Sequence, residues 1–149
     1  MKKLLYNKVP KRIITGIAIV SALLATASCN NSDDLDAIFL GPNWKVALFS
    51  DNNVKTPPSG IYTMRFYTSS FTATTPKGAV ISGNWEANGN NDSRSFHCNN
   101  IRVSEGSITG DTTAIKIKKF LEKANSYDGT TTYLLLKQSN NTYIQFHSR

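Results

Sequence analysis

The chain has 149 residues, enough for one ordinary domain, with 17 basic and ten acidic side chains and a net charge of +7. Five of the cations (Lys2, Lys3, Lys8, Lys11 and Arg12) precede Cys29, whereas every acidic residue follows it, so the first 28 positions hold +5 and the rest only +2. That partition excludes the simple reading of a basic protein as a nucleic-acid binder. Residues 13–27 are an unbroken run of apolar and small side chains. The run falls short of the roughly 20 residues that a membrane-spanning helix needs. Behind a basic start, it has the length of a secretory signal's apolar region.

This run ends in Thr26-Ala27-Ser28-Cys29. Small residues ahead of a cysteine resemble the lipobox of bacterial lipoproteins. The resemblance implies removal of residues 1–28 as a signal peptide and acylation of Cys29 (palmitate-type chains), which anchors the protein to a membrane. Buried acyl methylenes contribute about 0.8 kcal/mol each. Plain secretion with a free Cys29 is the alternative. Residues 29–39 read as a polar tether. Within it, Ser32-Asp33-Asp34-Leu35-Asp36 resembles the acidic export signal of surface lipoproteins in Bacteroidetes, which implies outer-membrane localisation with exposure at the cell surface rather than periplasmic retention.

From residue 40 onward, alternation of apolar and polar residues dominates. A strand over 44–49 places Trp44, Val46 and Leu48 on one face. Residues 51–60 have the chemistry of a loop. The next strand, 61–67, puts Tyr62, Met64 and Phe66 together, and threonine-rich 71–75 follows. After a turn at 76–78, residues 79–86 set Ile81 and Trp85 on one face. Residues 87–92 read as an Asn/Gly loop, and 93–103 as one long strand or two pieces bent at Asn99-Asn100. Residues 111–125 break the rhythm: Ala114, Ile117, Phe120, Leu121 and Ala124 share one helical face, with Lys116, Lys119 and Lys123 beside it and Asp111 or Thr112 as the cap. Alternation in 114–118 leaves a strand as the other reading. The chain closes with a hairpin, 131–138 and 142–147, around Ser139-Asn140-Asn141, where asparagine tolerates positive φ. The expected fold is all-β: a small antiparallel up-and-down barrel over 40–149, with seven or eight strands and one short helix.

Several segments resemble small Bacteroidetes lipoproteins with a lipocalin-like domain: Gly41-Pro42-Asn43-Trp44-Lys45-Val46, the aromatic strand 60–66, Ser82-Gly83-Asn84-Trp85-Glu86, the helix around Phe120-Leu121, and the closing strand pair. META-type domains have a similar order of elements. The resemblance implies a lipocalin-like barrel whose interior is lined by Tyr62, Met64, Phe66, Ile81, Trp85, Phe96, Leu134, Leu136, Ile144 and Phe146. A barrel of eight strands either fills with side chains or holds one small ligand. Two functions follow. The first is a lipid-anchored carrier of a small apolar ligand. The second is a non-catalytic surface module with a packed core that meets a protein or glycan partner.

Chemistry beyond binding finds little support. His97 and Cys98 are adjacent in a strand and so point to opposite faces, which argues against a nucleophile–base pair. The histidines and scattered carboxylates lack metal-ligand spacing, and no glycine-rich phosphate loop is present. No enzyme activity, cofactor or metal is expected, and no nucleic-acid partner. The lysine cluster 116, 118, 119 and 123 reads first as a solvated helix face. Asp111-Thr112-Thr113 matches a short Bacteroidetes O-glycosylation motif, with Thr112 as the acceptor.

Overall fold

Alternation becomes nine antiparallel strands in the computed structural model, which describes residues 34–90 and 93–149. The expected signal peptide 1–28, Cys29, Ser32 and Asp33 lie outside the described residues. The strands are β1 (Asn43–Asp51), β2 (Val54–Thr56), β3 (Thr63–Phe66), β4 (Ser70–Thr74), β5 (Val80–Asn90), β6 (Ser93–Glu105), β7 (Ser126–Gly129), β8 (Tyr133–Lys137) and β9 (Tyr143–Ser148). Strands β3 to β9 pair in chain order, and β1 pairs with both β3 and β9, which closes an eight-stranded ring. Closure removes the free edges that an open sheet would expose. Strand β2 is the extra one, folded back on residues 49–51 of β1. The helix α1 (Thr112–Leu121) interrupts the meander between β6 and β7. The fold is therefore the expected small all-β barrel with one short helix.

Three local differences from the expected pattern have clear physical causes. In β1 the register shifts between Val46 and Leu48. One inserted residue reverses which side chains face inward, so Phe49 is buried where Leu48 was expected. The expected loop 51–60 is partly strand, because Asn52 and Asn53 adopt φ of 48° and 69° and turn the chain tightly into β2. Residues 87–90, also expected as loop, continue β5 and pair with β6 up to Asn90 opposite Ser93.

Residues 93–103 are one strand with a bend, not two pieces. Asn84 pairs with Asn99 and Ser82 with Arg102, so two residues of β6 face the single Gly83. Asn100, at φ 53°, absorbs the extra residue. A Cβ on Gly83 would lie 2.8 Å from both the Asn99 carbonyl and the Phe71 ring, so only glycine lets Phe71 lie fully buried there. In the last hairpin the positive φ expected at Asn140 or Asn141 is absent. The Ser139 hydroxyl instead accepts hydrogen bonds from the backbone N–H groups of Asn141 and Thr142 at 3.3 and 3.2 Å.

The barrel is closed at both ends. At its base, a π-helical turn, Asp36–Leu40, carries Ile38 and Phe39 into the core. The Phe39 ring lies 5.0 Å from Phe66, 4.7 Å from Trp85, 5.6 Å from Phe96 and 5.2 Å from Tyr127. The folded body thus starts ahead of the expected boundary at residue 40, because two large apolar side chains in the supposed tether find a site at the barrel base. At the opposite end, α1 buries Ala114, Ile117, Phe120 and Leu121. Between these caps, nine of the ten side chains expected to line the interior are buried and belong to one apolar cluster. Trp85 is the exception. It shares the inward face of β5 but sits half-buried at the base, where its indole N–H donates to the Tyr67 carbonyl at 2.7 Å.

Candidate functional site

The helix that closes the upper end also builds a groove. Its start is held by Asp111, whose Oδ1 accepts the Ala114 N–H at 2.8 Å as an N-cap. The same oxygen accepts the Tyr62 hydroxyl at 2.7 Å. Ser59 and Thr113 join their hydroxyls at 2.8 Å, tying the loop before β3 to the first helical turn. At the far end, Gln138 donates its side-chain N–H to the Phe120 carbonyl at 3.2 Å, a second donor to an oxygen that also accepts the Lys123 N–H at 3.0 Å. Both ends of α1 are therefore pinned to the barrel.

Pinned this way, α1 leaves a groove of about 330 Å³ against the upper ends of β1 and β9. Half-buried Ile115 supplies apolar surface over the buried Phe49 and Phe120, and Tyr143 and Thr142 form part of the far wall. Lys116, Lys119 and Lys123 line the helix side, and Asp51 is the single carboxylate in the lining. The Lys116 ammonium sits 4.7 Å from the centroid of the Phe49 ring, a cation–π contact. Lys118 is different. It pairs with Glu122 one turn on, as an ordinary surface ion pair does.

Two of the three groove lysines, Lys116 and Lys119, stand three apart on α1, and Lys123 lies in the turn just past its end. Like charges at such spacings destabilise a helix by about 0.2–0.5 kcal/mol per pair. The negative end of the helix dipole offsets part of this for Lys119 in the last turn. The sequence showed the lysines but not that they divide, one neutralised and three sharing a wall with aromatic side chains. The partition depends on residues of β1 and β9 that are distant along the chain.

Other sequence-singled residues fall elsewhere. Asp34 accepts the Ala37 N–H at 3.0 Å on its carboxylate, and its carbonyl accepts the Ile38 N–H at 3.0 Å. Leu35 packs against the core and Asp36 is exposed. Three of the motif's five residues, Asp34, Leu35 and Asp36, thereby belong to the fold's first turn. Thr112 is exposed at the first position of α1, while its neighbours Asp111 and Thr113 are engaged in hydrogen bonds. Among the described residues no group of three or more His, Cys, Asp or Glu is placed to hold a metal ion. Nor is any described helix long and apolar enough to cross a membrane.

His97 is exposed, and Cys98 faces Trp85 across the β5–β6 pair. Burial pushes the Cys98 thiol up from 9.0 to about 12, so it stays protonated and poorly nucleophilic at neutral pH. In native protein at pH 8, Cys98 is expected to resist iodoacetamide, read by peptide mass mapping, and to react only after unfolding in urea. A raised folded-state value favours the neutral thiol. Its stabilising contribution is thus complete below pH 9 and lost as pH climbs towards 12. The Tyr62 hydroxyl, raised chiefly by burial, acts in the same direction. A Cys98→Ala variant should show a shallower alkaline loss in urea melts. Rapid alkylation of Cys98 in native protein at pH 8 would refute this account.

No protein-family model matches the chain, and no curated protein matches it. Among solved structures, the chain is similar to a DUF4847 family protein from Bacteroides vulgatus. The TM-score is 0.58 at 21% identity, and the match covers 76% of this chain and 96% of that one. The two share a fold. The match takes in nearly all of the Bacteroides vulgatus protein.

Proposed function

We propose that the protein is a non-catalytic interaction module, held to the outer membrane by acyl chains on Cys29 and displayed at the cell surface, with the groove beside α1 as its recognition site. One observation carries this reading over the carrier of a small apolar ligand. The barrel interior is occupied by its own side chains from the Phe39 plug to the α1 cap, whereas the groove offers apolar surface and charge to the outside. A filled barrel of eight strands is a scaffold, not a vessel. The non-catalytic part of the reading is supported by Cys98 facing the core while His97 faces solvent. The anchor reading rests on residues 13–36 of the sequence.

The test is a photoreactive residue at Ile115, in the groove, compared with one at Thr72 on the barrel wall, in intact cells. The groove position should give a reproducible adduct and the wall position none. Equal labelling at both sites, or a small apolar molecule retained in native mass spectra of the purified protein, would overturn the reading. For placement, Cys29→Ala should abolish acylation. Asp33→Asn, Asp34→Asn and Asp36→Asn together should protect the protein from external protease. Asparagine is the substitution of choice because it keeps a side-chain oxygen for the Ala37 N–H while removing charge.

A further inference from the structure

We infer that the groove beside α1 takes a linear anionic saccharide, a chain bearing about one carboxylate or sulfate per sugar ring. This inference rests on the groove being the recognition site and names its ligand. Lys116 and Lys119 stand on α1, about 4.5 Å apart along its axis at about 1.5 Å rise per residue, and Lys123 follows in the turn beyond the helix end at Leu121. Three cations along one wall suit a polymer in which each successive ring presents one negative charge. Opposite the lysines, the half-buried Tyr143 offers aromatic surface against which the apolar face of a sugar ring can lie. The lining carries three ammonium groups against the single carboxylate of Asp51, so the complement is negative. The neighbouring Lys118 is withdrawn from the row by Glu122.

Position in the fold separates a soluble polymer from the protein's own membrane. The chain enters the barrel at the base, through the turn Asp36–Leu40, whereas the groove lies against the C-terminal end of β1 and the start of β9. An anchor upstream of Asp34 attaches at the end opposite the lysines. The row then faces away from the bilayer, towards whatever polymer reaches the cell. Lipid headgroups of the same membrane are the disfavoured source of negative charge.

The probes are oligogalacturonate and its methyl-esterified form, which has the same backbone without the charge. Binding to full-length protein in zwitterionic micelles is measured by calorimetry. Oligogalacturonate should bind and weaken as salt rises, and the ester should bind at least about tenfold more weakly, as expected when several exposed charge pairs are lost. Combining Lys116→Glu, Lys119→Glu and Lys123→Glu should abolish binding. Combining Lys45→Glu, Arg65→Glu and Arg102→Glu makes the same change in net charge on the barrel wall and should leave binding intact. Near-UV circular dichroism checks that both variants are folded. The inference is overturned if oligogalacturonate does not bind, if the ester binds equally, or if the two variants lose binding alike. It is also overturned if inorganic phosphate or phosphatidylglycerol vesicles bind in preference. Should the saccharide fail while the Ile115 crosslink still captures a partner, the ligand class falls and the interaction-module reading stands. Failure of both removes both.

Discussion

Truncating Phe39 to alanine is expected to lower the unfolding free energy by about 3–5 kcal/mol, the cost of deleting a buried aromatic ring together with the cavity it leaves. The ring is fully buried and meets four aromatic partners within 5.6 Å. Those contacts add to simple area burial because edge-to-face and offset arrangements match the ring quadrupoles. The site is also poorly able to collapse, since Phe66, Phe96 and Tyr127 are each held by a strand of the ring. Urea melts measure the loss. An apolar dye adds a second readout, with fluorescence rising for Phe39→Ala because the base of the barrel is then open. Val54→Ala is the control, at a side chain 65% exposed on β2, and should stay within about 0.5 kcal/mol of the parent. A loss at Phe39 no larger than the control's would show that the segment before β1 is not a plug.

The second large effect is expected at Asp111. One oxygen of this carboxylate serves two donors, the Ala114 N–H and the Tyr62 hydroxyl. Replacement by alanine removes an N-cap, worth about 0.5–2 kcal/mol. It also deprives a buried tyrosine hydroxyl of its acceptor, at about 1–3 kcal/mol. Ser59 still lies 3.2 Å from that hydroxyl and softens the second loss. The combined expectation is about 2–4 kcal/mol, measured in the same melts. Asp111→Asn retains a side-chain oxygen and should cost less than half as much. If the two substitutions are equally damaging, charge and not hydrogen bonding is what Asp111 supplies.

The same residue connects stability to the groove. Asp111 and Gln138 hold the two ends of α1, and the groove lysines keep their place along its wall only while the helix lies pinned across the barrel. Loosening the first turn would let Lys116 leave the Phe49 ring. Nothing in the local sequence at 111–123 carries this link, because Tyr62 and Gln138 come from opposite sides of the helix in chain order.

Much of the architecture was readable beforehand, and the reasons are local. A strand's side chains alternate and a helix's repeat at 3.6, so Met64 and Phe66 in β3, with Tyr62 just ahead of it, share a buried side, as do Leu134 and Leu136, and Ile144 and Phe146. Ala114, Ile117, Phe120, Leu121 and Ala124 are likewise all buried as the helical wheel required. The periodicity fails where an extra residue enters a ladder. Leu48 gave way to Phe49, and the bend at Asn99-Asn100 became a bulge within one strand. A bulge is invisible in one strand's pattern because it is defined by a partner. Strand β7 and the turn Asp36–Leu40 were missed for a related reason. Each is only four or five residues long, too short for periodicity, and held by contacts made elsewhere.

By itself, then, the sequence determined the all-β class, the single helix with its buried face, and the inward side of most strands, because these follow from the spacing of apolar residues along a few turns or pleats. Tertiary structure alone decided three things. Strand β1 closes the ring by pairing with β9. Phe39 and α1 fill and seal the interior. Three of four clustered lysines line a groove while the fourth is neutralised. Each of these joins residues far apart in the chain, and such encounters are set by packing volume and strand register, not by any local periodicity.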